Sequence, residues 1–454
     1  MKKQISLLYL ICIIYFTVSG GAFSLEESLP SLGPGLALLL LIVTPLIWSL
    51  PIALMVAEMG SMLPLEGGYY RWVHFALGRF WGFQEGWWSW LNTFVDMAIY
   101  PVLFVKYAEY FFPGLTGWQH WLLALLVIYS SLAINLLGAR WVGQSAVFSF
   151  VIMTLAFLLF SMIGGLKMQN VPWHPLISGD QSLNQSIGYG LAVVMWNYNG
   201  WDNVSTFAGE VERPKRNYPW AMMISVPLVA VLYVLPIGVG LATTHNWRDW
   251  KIGEFPRIAA QVVGPWLGTT MSIAAMFSLW SLYNSQLLYA SRLPFAMAED
   301  RLFPHLIMRK HRRWGTPYVS LITCSLIYSS FALLGFDKLV VIDVLLYSIA
   351  LMLEYVALIN LRRRRSDLAR PFKIPGGWLG LTLTTGMMAA LTLACIIFTI
   401  IGPNKSWKQV VITLAMLLSG PLAYWIVAKV NRSTTKGDLA AEWSHSLTHR
   451  DDQV

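Results

Sequence analysis

The chain has 454 residues, of which 56% are hydrophobic and 12% charged, with a formal net charge of +9. A soluble globular chain carries about 25% charged residues, so the composition excludes an ordinary soluble domain. The excess of Lys and Arg does not mark a nucleic-acid face, because these residues sit in short loops between apolar runs.

Lys2-Lys3 followed by an apolar run to Val18 has the outline of a secretory signal. No small-x-small cleavage pattern is clear, and the segment continues through Ser19-Gly20-Gly21, so a retained first span over 5–32 is expected. Further apolar segments follow at 36–59, 80–108, 118–137, 142–166 and 186–208, then at 218–243, 265–298, 317–336, 339–361, 378–401 and 408–430. Most are near the roughly 20 residues that cross about 30 Å of hydrocarbon. They lack the alternation of barrel strands and therefore predict helices, twelve in all. Residues 431–454 are polar and read as a tail. Most Lys and Arg residues, including the Arg309–Arg313 cluster and the Arg362–Arg365 run, fall on the side of the N-terminus. The positive-inside rule then predicts a multi-pass protein of the cell (inner) membrane with both termini cytoplasmic. Binding of anionic lipid is the minor alternative for these clusters.

The histidines, His74, His120, His174, His245, His305, His311, His445 and His449, lie in loops, span ends or the tail. A haem or di-metal membrane enzyme needs them within spans. No HExxH, P-loop or GxSxG motif occurs, so neither an enzyme nor a metal or cofactor is expected. Cys12, Cys324 and Cys395 are far apart in apolar runs and predict no disulfide.

Two spans are interrupted. The first contains Val18-Ser19-Gly20-Gly21-Ala22-Phe23, and adjacent glycines weaken a helix by about 1 kcal/mol each. The sixth contains the polar stretch Trp196-Asn197-Tyr198-Asn199-Gly200-Trp201-Asp202-Asn203. Irregular backbone at membrane depth is tolerated where it lines a cavity or is buried in protein. Breaks five spans apart predict two inverted repeats, about 5–166 and 186–361, with a site at the breaks. Close helix packing at Gly20-Gly21 is the alternative.

These segments belong to an ordered set of motifs. Ser19-Gly20-Gly21-Ala22-Phe23 is followed by Ala57-Glu58-Met59-Gly60 and by Pro64-Leu65-Glu66-Gly67-Gly68-Tyr69-Tyr70. Ser291-Arg292 with Phe295-Ala296-Met297-Ala298 and Arg370-Pro371-Phe372-Lys373-Ile374-Pro375 complete it. Over about residues 5–430 the chain resembles the amino acid–polyamine–organocation superfamily. Within it, Gly82-Phe83-Gln84-Glu85-Gly86 with Tyr100-Pro101-Val102-Leu103-Phe104, and the stretch from Trp196 to Val211, resemble the branch of plant and trypanosomatid polyamine:proton symporters. The resemblance implies an all-α, LeuT-like five-plus-five inverted fold with two extra helices. It also implies unwound first and sixth helices and proton-coupled uptake of a small cation, with amino acids as the alternative substrate. A channel or a non-transporting receptor is a more remote reading.

Carboxylates inside spans are the most informative side chains, since an aspartate at a span centre costs roughly 2.5–3.5 kcal/mol on insertion scales. Asp96, Asp202, Asp343 and Glu354 qualify, and Glu26 and Glu27 follow the first break. Asn92, Asp96 and Tyr100 share one helical stripe, as do Asp343, Tyr347 and Glu354. Glu58, Glu210 and Glu212 are expected to pair with loop Arg and Lys. A polyamine site needs carboxylates, carbonyls and aromatic faces. The candidate substrate contacts are Ser19, Gly20, Gly21, Ala22, Phe23, Asp96, Tyr100, Tyr198, Asn199, Trp201, Asp202, Trp280, Tyr283 and Glu354. Trp201 and Trp280 are the favoured aromatics. An amino acid would instead place its carboxylate on the amides of Gly20, Gly21 and Ala22, and its ammonium near Tyr198 and Asn199. Asp202, Asp96 and Glu354 are the candidate proton carriers. Ser278 and Ser281 leave sodium open, and residues 142–165 contain no lysine of the kind that some proton-coupled relatives use.

Overall fold

The computed structural model describes residues 3–178, 183–244, 246–332, 336–401 and 407–431. His245 and the expected tail beyond Asn431, with His445 and His449, lie outside them. The described chain is all-helical apart from isolated bridges. In order the helices are α1 (Leu7–Val18), α2 (Ser28–Leu32), α3 (Pro34–Thr44), α4 (Leu50–Met62), α5 (Gly68–Leu77), α6 (Arg79–Ala108), α7 (Gly117–Leu137) and α8 (Ala139–Gly165). They continue with α9 (Leu183–Trp196), α10 (Pro214–Thr243), α11 (Phe255–Val262), α12 (Pro265–Glu299), α13 (Tyr318–Phe331), α14 (Phe336–Arg364), α15 (Gly377–Ile401) and α16 (Trp407–Asn431).

Local chemistry sets several of these ends. Pro34, Pro214 and Pro265 occupy first-turn positions, where a missing N–H costs nothing. Thr116 and Gln119 form a capping box at the start of α7. The expected span at 36–59 is two helices, α3 and α4, joined by a π-type turn at Pro45–Ser49. That at 317–336 ends earlier, at Phe331.

Among the described residues, seven helices are long and apolar enough to cross a membrane. In α14 78% of the apolar stretch is buried within the protein, against 11% in α16. On α16, Leu418, Leu422, Trp425 and Ile426 are all exposed, as are Phe148, Leu155 and Met162 on α8. Water would penalise such a belt, whereas hydrocarbon accepts it. The protein is thus a multi-pass membrane protein whose inner helices carry the buried polar groups.

The first and sixth expected spans are not continuous helices. After α1 the backbone is non-helical from Ser19 to Ser24, and a 3-10 turn at Leu25–Glu27 leads into α2. After α9 it leaves the helix at Asn197 and resumes only as short 3-10 turns at Asn203–Thr206 and Ala208–Glu210. The two irregular segments meet. Gly200 has a φ of +95°, and a Cβ there would stand 2.2 Å from the Thr17 carbonyl oxygen.

Cys12, Cys324 and Cys395 are free and buried. Glu58 is ion-paired as expected, whereas the partner of Glu210 lies inside α12 and not in a loop. Glu58 accepts from Arg362 and lies 3.7 Å from Arg370, and Glu210 is 2.9 Å from the fully buried Arg292.

Candidate functional site

A small cavity lies where the two breaks face α6, α12 and α14. The first break supplies Gly20, Phe23 and Ser24, and the second supplies Asn197, Asn199, Gly200 and Asn203. From α6 come Asn92, Asp96 and Tyr100, from α12 Leu282, Gln286 and Tyr289, and from α14 Asp343 and Tyr347. The cavity volume is about 20 Å³, room for about one water molecule.

Asp96 and Gln286 are the most heavily bonded side chains of the cavity wall, with three hydrogen bonds each. Asp96 Oδ1 accepts from the Tyr100 hydroxyl and from Trp196 Nε1 at 3.2 Å, and its Oδ2 accepts from Gln286 Nε2 at 3.1 Å. Gln286 also donates to the Tyr100 hydroxyl at 3.0 Å and accepts from Asn203 Nδ2 at 3.3 Å. The Tyr100 and Trp196 rings stack 5.9 Å apart. All of these donors are neutral. Asp343 is 2% exposed and faces Asp96, with Asn92 and Asn199 beside it. Its Oδ1 accepts no hydrogen bond. Among the described residues, no Lys, Arg or His lines the cavity.

Phe23 roofs the cavity. Its ring lies 4.7 Å from that of Phe157 and 5.1 Å from that of Tyr107. The Tyr107 hydroxyl donates to Glu26 at 2.6 Å, so Glu26 sits above this aromatic layer rather than in the cavity.

The break carbonyls and amides are largely taken. Ser278 Oγ donates to the Gly20 carbonyl at 2.7 Å, and the Gly21 amide donates to Ser19 Oγ at 2.9 Å. Gly20 and Ala22 form a local bridge. Trp201 Nε1 closes its own turn on the Tyr198 carbonyl at 2.8 Å, and Tyr233 donates to the Asn197 carbonyl at 2.6 Å. The Gly200 amide donates to the Tyr347 hydroxyl at 3.0 Å, and that hydroxyl donates to Asp202.

The structure therefore brings Gly20, Phe23, Asp96, Tyr100 and Asn199 to the cavity wall, with Ser19, Gly21 and Ala22 forming the backbone behind Gly20. The other candidates lie elsewhere. Tyr198 donates to the Leu41 carbonyl at 2.8 Å, and Trp280 Nε1 donates to Ser130 at 2.9 Å on α7. Tyr283 is buried beside Cys324 and Tyr129. Trp201 is buried in its own turn. Asp202 and Glu354 face each other beyond Tyr347, outside the cavity. Gln286 and Tyr289 went unnoticed in the sequence reading, and Trp196, Asn203, Asp343 and Tyr347 were noticed without a site role. A signal for α12 existed: Ser278, Leu282, Gln286 and Tyr289 recur at helical spacing on the face that meets Gly20.

Comparison with known proteins agrees with this architecture. A family model described as amino acid permease matches residues 5–426. A probable polyamine transporter of Arabidopsis thaliana is 33% identical over 432 residues, covering 95% of this chain and 85% of the relative. A polyamine transporter of rice, Oryza sativa subsp. japonica, is 33% identical over 420 residues, covering 92% and 77%. The serine/threonine exchanger of Bacillus subtilis is 24% identical over 393 residues, covering 83% and 87%. The chain belongs to the amino acid permease family of membrane transporters, within the amino acid–polyamine–organocation superfamily.

Proposed function

We propose that this transporter is a secondary active carrier that takes up polyamines such as putrescine or spermidine with a proton, by alternating access. The observation that carries the substrate class is the pair of buried carboxylates, Asp96 and Asp343, in a cavity whose described wall has no cationic side chain. A polyamine brings several ammonium groups and no carboxylate, so it complements that wall. Tyr100, Trp196, Tyr289, Tyr347 and Phe23 add aromatic faces for the charged groups and the methylenes between them. The names of the plant relatives point the same way.

In this reading the chain is one transmembrane domain of twelve spans. Repeats of about 5–166 and 186–361 are followed by two extra helices within 378–430. The first and sixth spans are unwound at the site. The protein resides in the cell (inner) membrane with both termini cytoplasmic. The cavity is too small for a polyamine, so entry requires the roof at Phe23 or the opposite wall to move, as alternating access demands. Asp202, Asp96 and Glu354 are the proposed proton carriers.

The second reading is an amino-acid permease or exchanger, favoured by the Bacillus relative. Against it, the amide of Gly21, one of three available for a carboxylate, is already bonded to Ser19. Two carboxylates in the cavity would also repel a substrate carboxylate.

Thermal stabilisation of purified protein by polyamines and by all amino acids tests the substrate class, because a ligand of the folded state raises stability. Polyamines should shift the transition. A response to amino acids with none to polyamines would overturn the choice. Counterflow in proteoliposomes separates a carrier from a channel.

A further inference from the structure

Behind the cavity lies a second tier of acids. Glu85 on α6, Asp202 at the second break and Glu354 on α14 are 0%, 4% and 1% exposed and face one another. Glu85 stands eleven residues before Asp96, and Glu354 eleven after Asp343. Eleven residues are three helical turns, so each lower acid sits about 16 Å along its helix from an upper one. Both displacements run toward the end that carries Arg362–Arg365.

Among the described residues, no Lys, Arg or His forms an ion pair with any of the three. Ser89 donates to Glu85 at 3.1 Å and Tyr347 donates to Asp202. The second oxygens of Glu85 and Glu354 are buried without a hydrogen-bond partner. An independent group is turned into the cluster. Tyr69 on α5 is 1% exposed and lies near all three carboxyls, beside Ser89. Tyr289 lies near Asp202.

Three carboxylates in dry protein, without a counter-charge, do not all ionise together. None of the three lines the cavity, so the group they share is separate from the proposed substrate contacts. The occupant that fits is a proton.

We propose that Glu85, Asp202 and Glu354 form one shared proton-holding site, joined to the substrate cavity by the Tyr347 hydroxyl. This rests on the proton-coupled reading above and extends it to Glu85. A hydronium ion in the cavity gives a proton to the Tyr347 oxygen as that hydroxyl gives its own to the Asp202 carboxylate, leaving a water behind. Glu354 and Glu85 share that proton until the Arg-rich end opens and releases it. On Glu85 and Glu354 the proton is thereby held about three helical turns from Asp96 and Asp343.

The test uses full-length protein in proteoliposomes with labelled putrescine, comparing wild type, Glu85→Gln and Glu85→Asp. Uptake driven by an acidic exterior is measured beside counterflow at equal pH. Wild type should respond to the gradient. Glu85→Gln should lose the gradient-driven component while keeping counterflow, and Glu85→Asp should keep both. A Glu85→Gln variant that retains full gradient-driven uptake overturns the shared site and leaves the coupling reading intact. Loss of counterflow in both variants makes Glu85 a packing residue and also overturns it. A wild type without putrescine counterflow, or without a gradient response, takes down the underlying reading and this inference with it.

Discussion

Replacing Asp96 with Asn separates charge from shape in the cavity. Asp96 accepts from Tyr100, from Trp196 at 3.2 Å and from Gln286 at 3.1 Å, all neutral donors. A substrate ammonium would be the first cation the carboxylate meets. A hydrogen bond to a charged group is worth about 1.5–3 kcal/mol, and each 1.4 kcal/mol is about tenfold in affinity. Putrescine and spermidine should therefore bind Asp96→Asn about 10- to 100-fold more weakly. The fold should survive. Asn keeps the acceptor for Tyr100 and Trp196 but turns an N–H toward Gln286. A flip of Gln286 would cure that conflict and create another with Asn203, at 3.3 Å. One unsatisfied buried donor costs about 1–3 kcal/mol, so the melting temperature should fall without collapse. Calorimetric titration of purified protein reads the first effect and thermal fluorimetry the second. Binding of putrescine by Asp96→Asn within about twofold of wild type would refute the charge argument, since loss of a charged hydrogen bond worth about 1.5 kcal/mol or more weakens binding about tenfold.

The remaining predictions concern architecture and assignment. Gly200→Ala should abolish recovery of folded protein. Its φ of +95° costs a non-glycine residue about 1–2 kcal/mol, and the new Cβ meets the Thr17 backbone, which cannot yield as a side chain can. Gly117→Ala, with nothing near its Cβ, is the control, and an unchanged melting temperature for Gly200→Ala would sink the argument. Arg292→Met should destabilise the protein by about 3–5 kcal/mol, because it strands the buried Glu210 carboxylate 2.9 Å from a lost partner. Adding Glu210→Met should recover much of that loss in thermal fluorimetry, and a double variant no better than the single would count against a stranded charge. Trp280→Phe should leave polyamine affinity unchanged in the same titrations, since its indole N–H serves Ser130 outside the cavity. A large loss there would mean that the site has been placed wrongly.

Helix positions were legible in the sequence because hydrocarbon leaves little choice: an apolar run of about 20 residues either spans or is buried. Thus α6, α7, α8, α10 and α12 begin and end within a few residues of the expected segments. The breaks were legible for the same reason, as polar and glycine-rich stretches inside apolar runs. Side-chain direction was the harder matter. Trp280 attracted attention by size, yet it is two residues from both Ser278 and Leu282. At about 100° per residue it points away from the face they present to Gly20. Trp201 lies within the right segment, but a break has no helical period from which to read direction, and its indole turned inward to its own loop.

Depth was the other missing coordinate, and it bears most on mechanism. Periodicity placed Asp343 and Glu354 on one face of α14 and did not say which of them reaches the substrate. That depends on where the breaks sit along α14, and Tyr347 marks the boundary. Its hydroxyl accepts the Gly200 amide and donates to Asp202, so the cavity ends there. Asp343 on the near side pairs with Asp96, and Glu354 on the far side pairs with Asp202. In the proposed mechanism, two tiers of acids divided by one tyrosine are the separate places for an ammonium and a proton. Neither tier would be recognised from one helix alone, because each is completed by a residue from α6 or from the second break.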